Sequence, residues 1–451
     1  MCWERLKMTN TIQDTASFES NTMKKVRNRL IPFLTLLYFF AMLDRVNVGY
    51  AALTMNKELG ISSAQFGLVA GIFFIGYFIF EVPSNIIMTK VGARQWIGRI
   101  LITWGIASAA CGLIQNATQL YIARFILGVM EAGFYPGVML YLTYWFPAKE
   151  RGKVISLFML ALPISSILGA PISGLILDHI HWAGISSWRW LFYFEGLPTL
   201  IFGVITILML PNTPSDAKWL STEEKTWLED KIKREHQEVA SKHKHSMWSA
   251  LAGSTVWLLA IIYFSKTMAV YGVTFFAPTL IKGLTVGLSN FQIGLINAIP
   301  LVFASFFMVW WGNHSDKTGE RRWHTALSVL LCGIGLLGLG FTSSPILAVV
   351  FLTVVYCGAY SIYGAFWSLT AMVYTGKSAA VAMASINSIA NLGGFIGPVG
   401  IGALKTATGG SNYAGFYACA ALLFIAFGIT LSLKFAKKDN TIVAAKAAAA
   451  K

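Results

Sequence analysis

The chain has 451 residues, 56% of them hydrophobic and 12% charged, with a mean hydropathy of +0.62 and a formal net charge of +15. Soluble proteins carry about twice that charged fraction, which excludes an ordinary soluble domain. Apolar runs that are continuous, not alternating, exclude an outer-membrane barrel, and basic residues confined to alternate loops argue against nucleic acid as a partner.

The first 29 residues are polar and lack an apolar core followed by a small-residue cleavage site, so no cleavable signal is expected. Runs long enough to cross a bilayer, about 20 residues each, then recur near 30–54, 66–89, 96–115, 119–145, 153–178 and 188–210. A second set lies near 251–281, 289–312, 323–343, 345–375, 378–404 and 412–436. The polar stretch 211–250 separates the two sets. Within it, Ser221-Thr-Glu-Glu224 has capping-box spacing, and Trp227, Leu228 and Ile232 give the following residues one apolar face, as for a short amphipathic helix on the membrane surface or under the bundle. The terminal Ala-Ala-Lys-Ala-Ala-Ala-Ala-Lys451 is low-complexity and reads as a solvated extension.

The charge is topological. Lys24, Lys25, Arg27 and Arg29; Lys90, Arg94 and Arg99; Lys149, Arg151 and Lys153; Lys218 through Lys244; Lys317, Arg321 and Arg322; Lys377; and Lys434, Lys437 and Lys438 all fall in alternate loops or tails. The intervening loops hold only Lys57, Arg189, Lys282 and Lys405. Positive loops stay on the cytoplasmic side, so both termini and the central loop are expected there. The five cysteines show no paired spacing, and His179/His181 and His243/His245 lack further ligands nearby. No disulfide framework, metal or cofactor is expected.

Ionisable groups inside apolar spans cost several kcal/mol and normally face a polar cavity. Asp44-Arg45 lies in the first span, and Arg124 and Glu131 lie in the fourth, two helical turns apart. Arginine matches a carboxylate through its planar fork and stays charged, whereas a buried carboxyl can take or release a proton. Asp44 and Glu131 are therefore candidates for proton coupling, and Arg45 and Arg124 for binding an anion. The competing reading is a static ion pair between Arg124 and Glu131, but about 10.5 Å along one helix is long for a direct contact. Each is expected to meet another helix or solvent.

Lys266, well inside the seventh span, either snorkels, pairs with a carboxylate or faces the cavity as a further positive group for a substrate with a second anionic or strongly polar end. Glu81 could partner Lys266 or an arginine, or brace the kink at Pro83. Tyr77 and Trp367 are amphipathic aromatics in opposite halves, either packing residues or substrate contacts.

A weak internal repeat supports two halves of six spans. Lys90-Val-Gly-Ala-Arg94 follows the second span, and Gly312-Asn-His-Ser-Asp-Lys-Thr-Gly-Glu-Arg-Arg322 follows the eighth. Matching devices in two halves are expected of a transporter built from repeats. The second loop resembles the G-x-x-x-D-x-x-G-x-R-R loop of the major facilitator superfamily. Leu43-Asp-Arg-Val-Asn47, Phe80-Glu-Val-Pro-Ser-Asn85, Glu131-Ala-Gly-Phe-Tyr-Pro-Gly137 and Leu210-Pro-Asn-Thr-Pro-Ser-Asp-Ala-Lys-Trp-Leu-Ser221 are similar to its anion:cation symporter branch, which includes bacterial carriers for tartrate, rhamnonate, galactonate, phthalate and 4-hydroxyphenylacetate.

The resemblance spans about residues 25–436 and implies an all-α polytopic membrane protein of about 12 transmembrane helices in two pseudo-symmetric halves. The implied divisions are 1–29, a cytoplasmic tail; 30–210, the first half; 211–250, the central loop; 251–436, the second half; and 437–451, a second cytoplasmic tail. It implies roles in substrate binding and proton coupling for Asp44, Arg45, Arg124 and Glu131. Asn391 matches a substrate-binding asparagine of galactonate-type relatives, with a helix–helix hydrogen bond as the other reading. Met42 departs from a tyrosine in those relatives, and a less polar wall there favours an apolar or aromatic acid. The expected function is import of an organic carboxylate by proton symport through alternating access, in a bacterial inner membrane, as a monomer and not as an enzyme. The alternatives are an exchanger or exporter on the same fold, or a non-transporting anion sensor.

Overall fold

The computed structural model describes residues 2–242, 253–374, 376–411 and 413–433, with side chains described at 17–235, 237, 253–374, 381–411 and 413–433. His243, Lys244, His245, Lys434, Lys437, Lys438 and the tail 437–451 lie outside the described residues, as does the side chain of Lys377.

Among the described residues, eleven helices are long and apolar enough to cross a membrane: Ser17–Glu58, Ser63–Val91, Ala93–Leu113, Ala117–Thr143, Ala148–His179, Ser187–Met209, Ser254–Leu284, Asn290–Thr318, Arg322–Phe341, Pro345–Val373 and Tyr413–Ser432. A further helix, Gly376–Ala407, stands where the eleventh of twelve spans is expected. These twelve are called the first to twelfth spans in chain order.

The helix ends follow from local chemistry. Ser62 and Gln65 form a capping box at the start of the second span, and Ser289 and Gln292 form the same box at the start of the eighth. The flanking sequences align as Ser62-Ser-Ala-Gln-Phe-Gly67 and Ser289-Asn-Phe-Gln-Ile-Gly294, a stronger trace of the repeat than the basic loops. The fourth span is not continuous. It breaks after Glu131, because Gly133 takes φ +89°, a left-handed conformation open to glycine. The fifth is interrupted at Leu160, where Pro163 has no N–H to offer the Met159 carbonyl.

Residues expected as an N-terminal tail continue the first helix, which runs Cys2–Glu58. Around Glu19 and Lys25 it meets the central helix Thr222–Lys242. Lys231 and the Trp227 indole both bond Glu19, at 2.7 and 3.0 Å, and Lys25 pairs with Glu224 at 2.9 Å. The central helix thus lies under the first half, and Glu224 also closes the Ser221 capping box. The loop after the eighth span is held by an Arg321–Asp316 pair at 2.6 Å.

Across the two halves, the second span packs on the eleventh and the fifth on the eighth. Hydrogen bonds between the halves gather at the end opposite the basic loops. The Ala64 amide donates to Thr406 Oγ1 at 3.0 Å, and Lys282 donates to the Leu53 carbonyl at 3.1 Å. The Asp178 carboxylate accepts from Asn290 N, Asn290 Nδ2 and Phe291 N at 3.1, 2.7 and 2.7 Å, so the fifth span caps the eighth. The matched glycines make the close approach possible: a Cβ on Gly67 would strike the Pro398 carbonyl oxygen, and one on Gly294 the Ala170 carbonyl oxygen.

Gly67→Ala and Gly294→Ala are each expected to cost about 1–3 kcal/mol by overpacking, read as a lower thermal midpoint of the purified protein. Gly283→Ala, where nothing lies within 4 Å, is expected to stay within about 0.5 kcal/mol. Equal midpoints for all three variants would refute the account of the crossings.

Candidate functional site

Asp44 and Arg45 are neighbours on one helix, so their side chains leave it about 100° apart. They enter different surroundings. Arg45 pairs with the Glu131 carboxylate across the first and fourth spans, with side chains 13% and 1% exposed. Its guanidinium stands 5.4 Å from the ring centre of Phe73 and 5.2 Å from that of Tyr77. Arg124, fully buried, stands 5.2 Å from the same Phe73 ring and donates to the Arg45 carbonyl at 3.4 Å. The ring's negative face offers both cations a partner that cannot neutralise them.

The sequence reading has Arg124 and Glu131 each meeting another helix or solvent, and in the structure both reach the first span. Hydrogen-bonding capacity is left over: Arg45 Nε, Arg124 Nε and Nη1, and Glu131 Oε2 are buried without a partner. Unpaired polar atoms at this depth cost free energy; three of the four are guanidinium donors that a second anion can satisfy, whereas Glu131 Oε2 can only accept.

Asp44 turns into the first half, where it has no exposure. It accepts from Ser108 Oγ of the third span at 2.6 Å and from Thr199 Oγ1 of the sixth at 3.1 Å. Close behind stands Glu195, 3% exposed, which accepts from Ser173 Oγ at 3.2 Å. Sequence reasoning missed Glu195, although a lone acid within the run 188–210 carries the same signal as Glu131.

In the second half, Lys266 is 3% exposed and donates to the Tyr363 hydroxyl at 2.8 Å. Its ammonium lies 3.9 Å from the Tyr363 ring centre and 5.1 Å from that of Tyr263. Lys266 therefore stays buried and does not snorkel, and among the described residues it pairs with a tyrosine hydroxyl, not a carboxylate. Tyr363, which the sequence reading passed over, also lies within electrostatic reach of Arg45 across the halves. Trp367 packs edge-on against Tyr263 at 5.1 Å, one step behind the lysine.

Glu81 is 8% exposed and does not meet Lys266; its polar neighbours are Arg45 and Asn391 of the eleventh span. Its backbone carbonyl accepts from Asn85 Nδ2 at 2.8 Å beside Pro83. Met42, 6% exposed, adds an apolar wall to the first span. Arg45, Glu131, Arg124 and Tyr77 thus meet around Phe73, Glu81 and Asn391 adjoin them, and Lys266 with Trp367 stands opposite. Among the described residues, no group of three His, Cys, Asp or Glu could hold a metal ion.

The sequence matches the Major Facilitator Superfamily over residues 34–398 and 286–448. It is similar to a putative tartrate transporter of Agrobacterium vitis, 45% identical over 427 residues that cover 94% of this chain and 97% of that protein. It is 39% identical to a quinolone resistance transporter of Acinetobacter baumannii over 94% of this chain and 97% of that one. Its fold matches a bacterial homologue of the human lysosomal transporter Spinster, with a TM-score of 0.74, 18% identity and coverage of 90% and 96% of the two chains. The all-helical fold, with eleven apolar spans and the helix Gly376–Ala407 among the described residues, and this run of similarity have one meaning: the chain is a transporter and belongs to the major facilitator superfamily.

Proposed function

We propose that the protein imports an organic carboxylate together with protons, and that the buried Arg45–Glu131 pair performs the coupling. A carboxylate entering the cavity competes for the guanidinium of Arg45. As Arg45 turns to the substrate, Glu131 loses its counter-charge in a dry site, where an isolated carboxylate is strongly disfavoured. It then holds a proton, and releases it when the substrate leaves and Arg45 returns. Anion and proton therefore move together. Asp44 is a second proton site, screened from the substrate by the turn of the first span.

The proposed orientation follows the basic loops, which stay in the cytoplasm. Both termini then lie inside a bacterial inner membrane, and the contacts through Asp178, Lys282 and Thr406 seal the outer end. The conformation is inward-facing in this reading, and uptake proceeds as the halves rock about the site. Inward potential opposes a lone anion by about 2.3 kcal/mol per charge per 100 mV, a penalty that one proton per carboxylate removes.

Substrate class follows from the opposite wall. Lys266 offers a cation with an aromatic floor, and Tyr363 links it to the neighbourhood of Arg45. An acid with two anionic ends, or one carboxylate and hydroxyls, bridges the halves between these cations, in keeping with the tartrate name of the Agrobacterium relative. Asn391, Tyr77 and Trp367 complete the walls, and a single chain holds the whole site, so the working unit is a monomer. A second reading, export of an aromatic acid, draws on the quinolone resistance relative and on the apolar Met42 wall.

The deciding experiment records external pH around lightly buffered cells expressing the protein, with tartrate, rhamnonate, galactonate, phthalate and 4-hydroxyphenylacetate added in turn. Alkalinisation is expected with at least one acid and is expected to vanish in Glu131→Gln. Binding without proton movement for every acid would overturn symport and leave exchange or export. Lys266→Met is expected to raise KM by about tenfold for a dicarboxylate, from loss of a charge-assisted contact, with a smaller change for a monocarboxylate. Unchanged affinity for every transported acid would remove Lys266 from the site. Arg45→Ala is expected to lower the thermal midpoint, since stranding the Glu131 charge costs about 3–5 kcal/mol; Arg45→Ala with Glu131→Gln together should recover much of that loss. A double variant no more stable than Arg45→Ala would show that the pair is not the source of the cost.

A further inference from the structure

Beyond the Arg45–Glu131 pair, the first half contains a buried polar strip of which the coupling scheme above uses only Asp44. On the first span, Asp44, Asn47 and Tyr50 recur every three residues and are 0%, 1% and 5% exposed. Each step along this helix advances about 4.5 Å toward the end opposite the basic loops. Facing them on the sixth span are Glu195 and Thr199, one turn apart. The Thr199 hydroxyl stands 3.1 Å from both Asp44 Oδ2 and the Glu195 carbonyl oxygen, and its single proton serves one of them at a time.

The Glu195 carboxyl is held by neutral groups. Ser173 Oγ donates to one oxygen, the Asn47 amide stands beside it, and Glu195 Oε2 has no partner. Asn47 Oδ1 and Nδ2 also have no partner of good geometry. One step farther out, Asn297 Nδ2 of the eighth span donates to the Tyr50 hydroxyl, while Asn297 Oδ1 stays unpaired. The titratable groups facing Glu195 are Asp44 and Tyr50 of the first span; the fifth span presents Ser173, the eighth Asn297 and the third Ser108, while the Arg124 guanidinium faces Asp44.

We propose that Glu195 is a proton-relay residue that loads Asp44 from the outer end of the protein. A proton passes from the Glu195 carboxyl to a water held between the Asn47 amide and the Thr199 hydroxyl, and that water gives one of its own protons to the Asp44 carboxylate. No other bond changes, and the charge of the strip is conserved. Tyr50 and Asn297 form the outer step, where the fifth and eighth spans part when the outer end opens. A purely structural polar bridge needs no ionisable group at this position, since glutamine offers the same shape with a donor and an acceptor. Buried partnerless atoms on two successive steps, at Asn47 with Glu195 and at Asn297, leading to the Asp44 carboxylate, are the pattern expected of a path for water and protons.

The inference rests on proton symport, and its test separates the two. Wild type, Glu195→Gln and Glu195→Asp are reconstituted in liposomes, with tartrate as the probe, or the first acid of the panel above that the wild type takes up. Two rates are measured: counterflow at equal pH, which carries the loaded protein without net proton movement, and uphill uptake driven by an inward proton gradient. Glu195→Gln is expected to keep counterflow within about twofold and to lose proton-driven uptake by about a hundredfold, with Glu195→Asp restoring much of it. Glu195→Gln matching wild type in both rates would overturn the relay, as would equal loss of both in a monodisperse protein. Counterflow without proton-driven uptake in the wild type would instead overturn symport. Should Glu195→Gln fail to fold, Asn47→Leu gives the same pair of readings: selective loss of proton-driven uptake supports the relay, and no change overturns it.

Discussion

An arginine and a glutamate that share a site almost without water constrain nearly everything else in this protein. Removing either charge from water costs several kcal/mol, and their mutual attraction offsets that cost only while they remain together. The Arg45–Glu131 pair is therefore stable as a unit and unstable as two parts. This makes it a poor staple, because apolar side chains would hold the first and fourth spans more cheaply. It makes a good switch, because a competing carboxylate changes the charge state that the glutamate can sustain. The surroundings fit that use: Phe73 and Tyr77 support the guanidinium without neutralising it, and Arg124 crosses behind on the other face of the site.

The turn between Asp44 and Arg45 divides the first half into two compartments. One faces the opposite half and contains the ion pair. The other is interior and contains Asp44, Ser108, Thr199, Asn47 and Glu195. A single helix rotation of about 100° keeps a potential proton acceptor close to the substrate site yet out of its reach. The two compartments share charge, since Arg124 lies within electrostatic reach of both Asp44 and Glu131, which is the link the proposed coupling would use.

The spans were legible because length and continuous apolarity are properties of one segment at a time, and so was the depth of each buried charge. Partners were not. Spacing placed Arg124 and Glu131 on one face, but it cannot say how the first span is rotated toward them, and it was that rotation that gave Glu131 its arginine. Lys266 shows the same limit: its depth was readable, but its fate depended on Tyr363 a hundred residues away. The break after Glu131 was hidden because Gly133 is one of many glycines, and nothing in the sequence shows that a Cβ there would strike Ser84 on the second span. Glu195, by contrast, was readable and overlooked, as was the Ser-x-x-Gln-x-Gly repeat that marks both inter-half crossings.

Charge counting ties the two compartments together. The buried acids among the described residues, Asp44, Glu81, Glu131 and Glu195, all lie in the first half, whereas the second half contributes the buried cation Lys266. With Arg45 and Arg124, four acids face three cations, so a fully ionised interior would carry net negative charge before any substrate arrived. A low-dielectric interior resists that excess, which favours at least one acid being protonated while the cavity is empty. An arriving carboxylate adds to the same side of the balance, and each added charge strengthens the case for another proton. In the proposed mechanism the cation of the second half approaches the acids of the first as the cavity closes, so closing would be easiest with substrate and proton both aboard. In the proposed symport, this asymmetric placement of charge, more than any single residue, links rocking of the halves to the movement of protons.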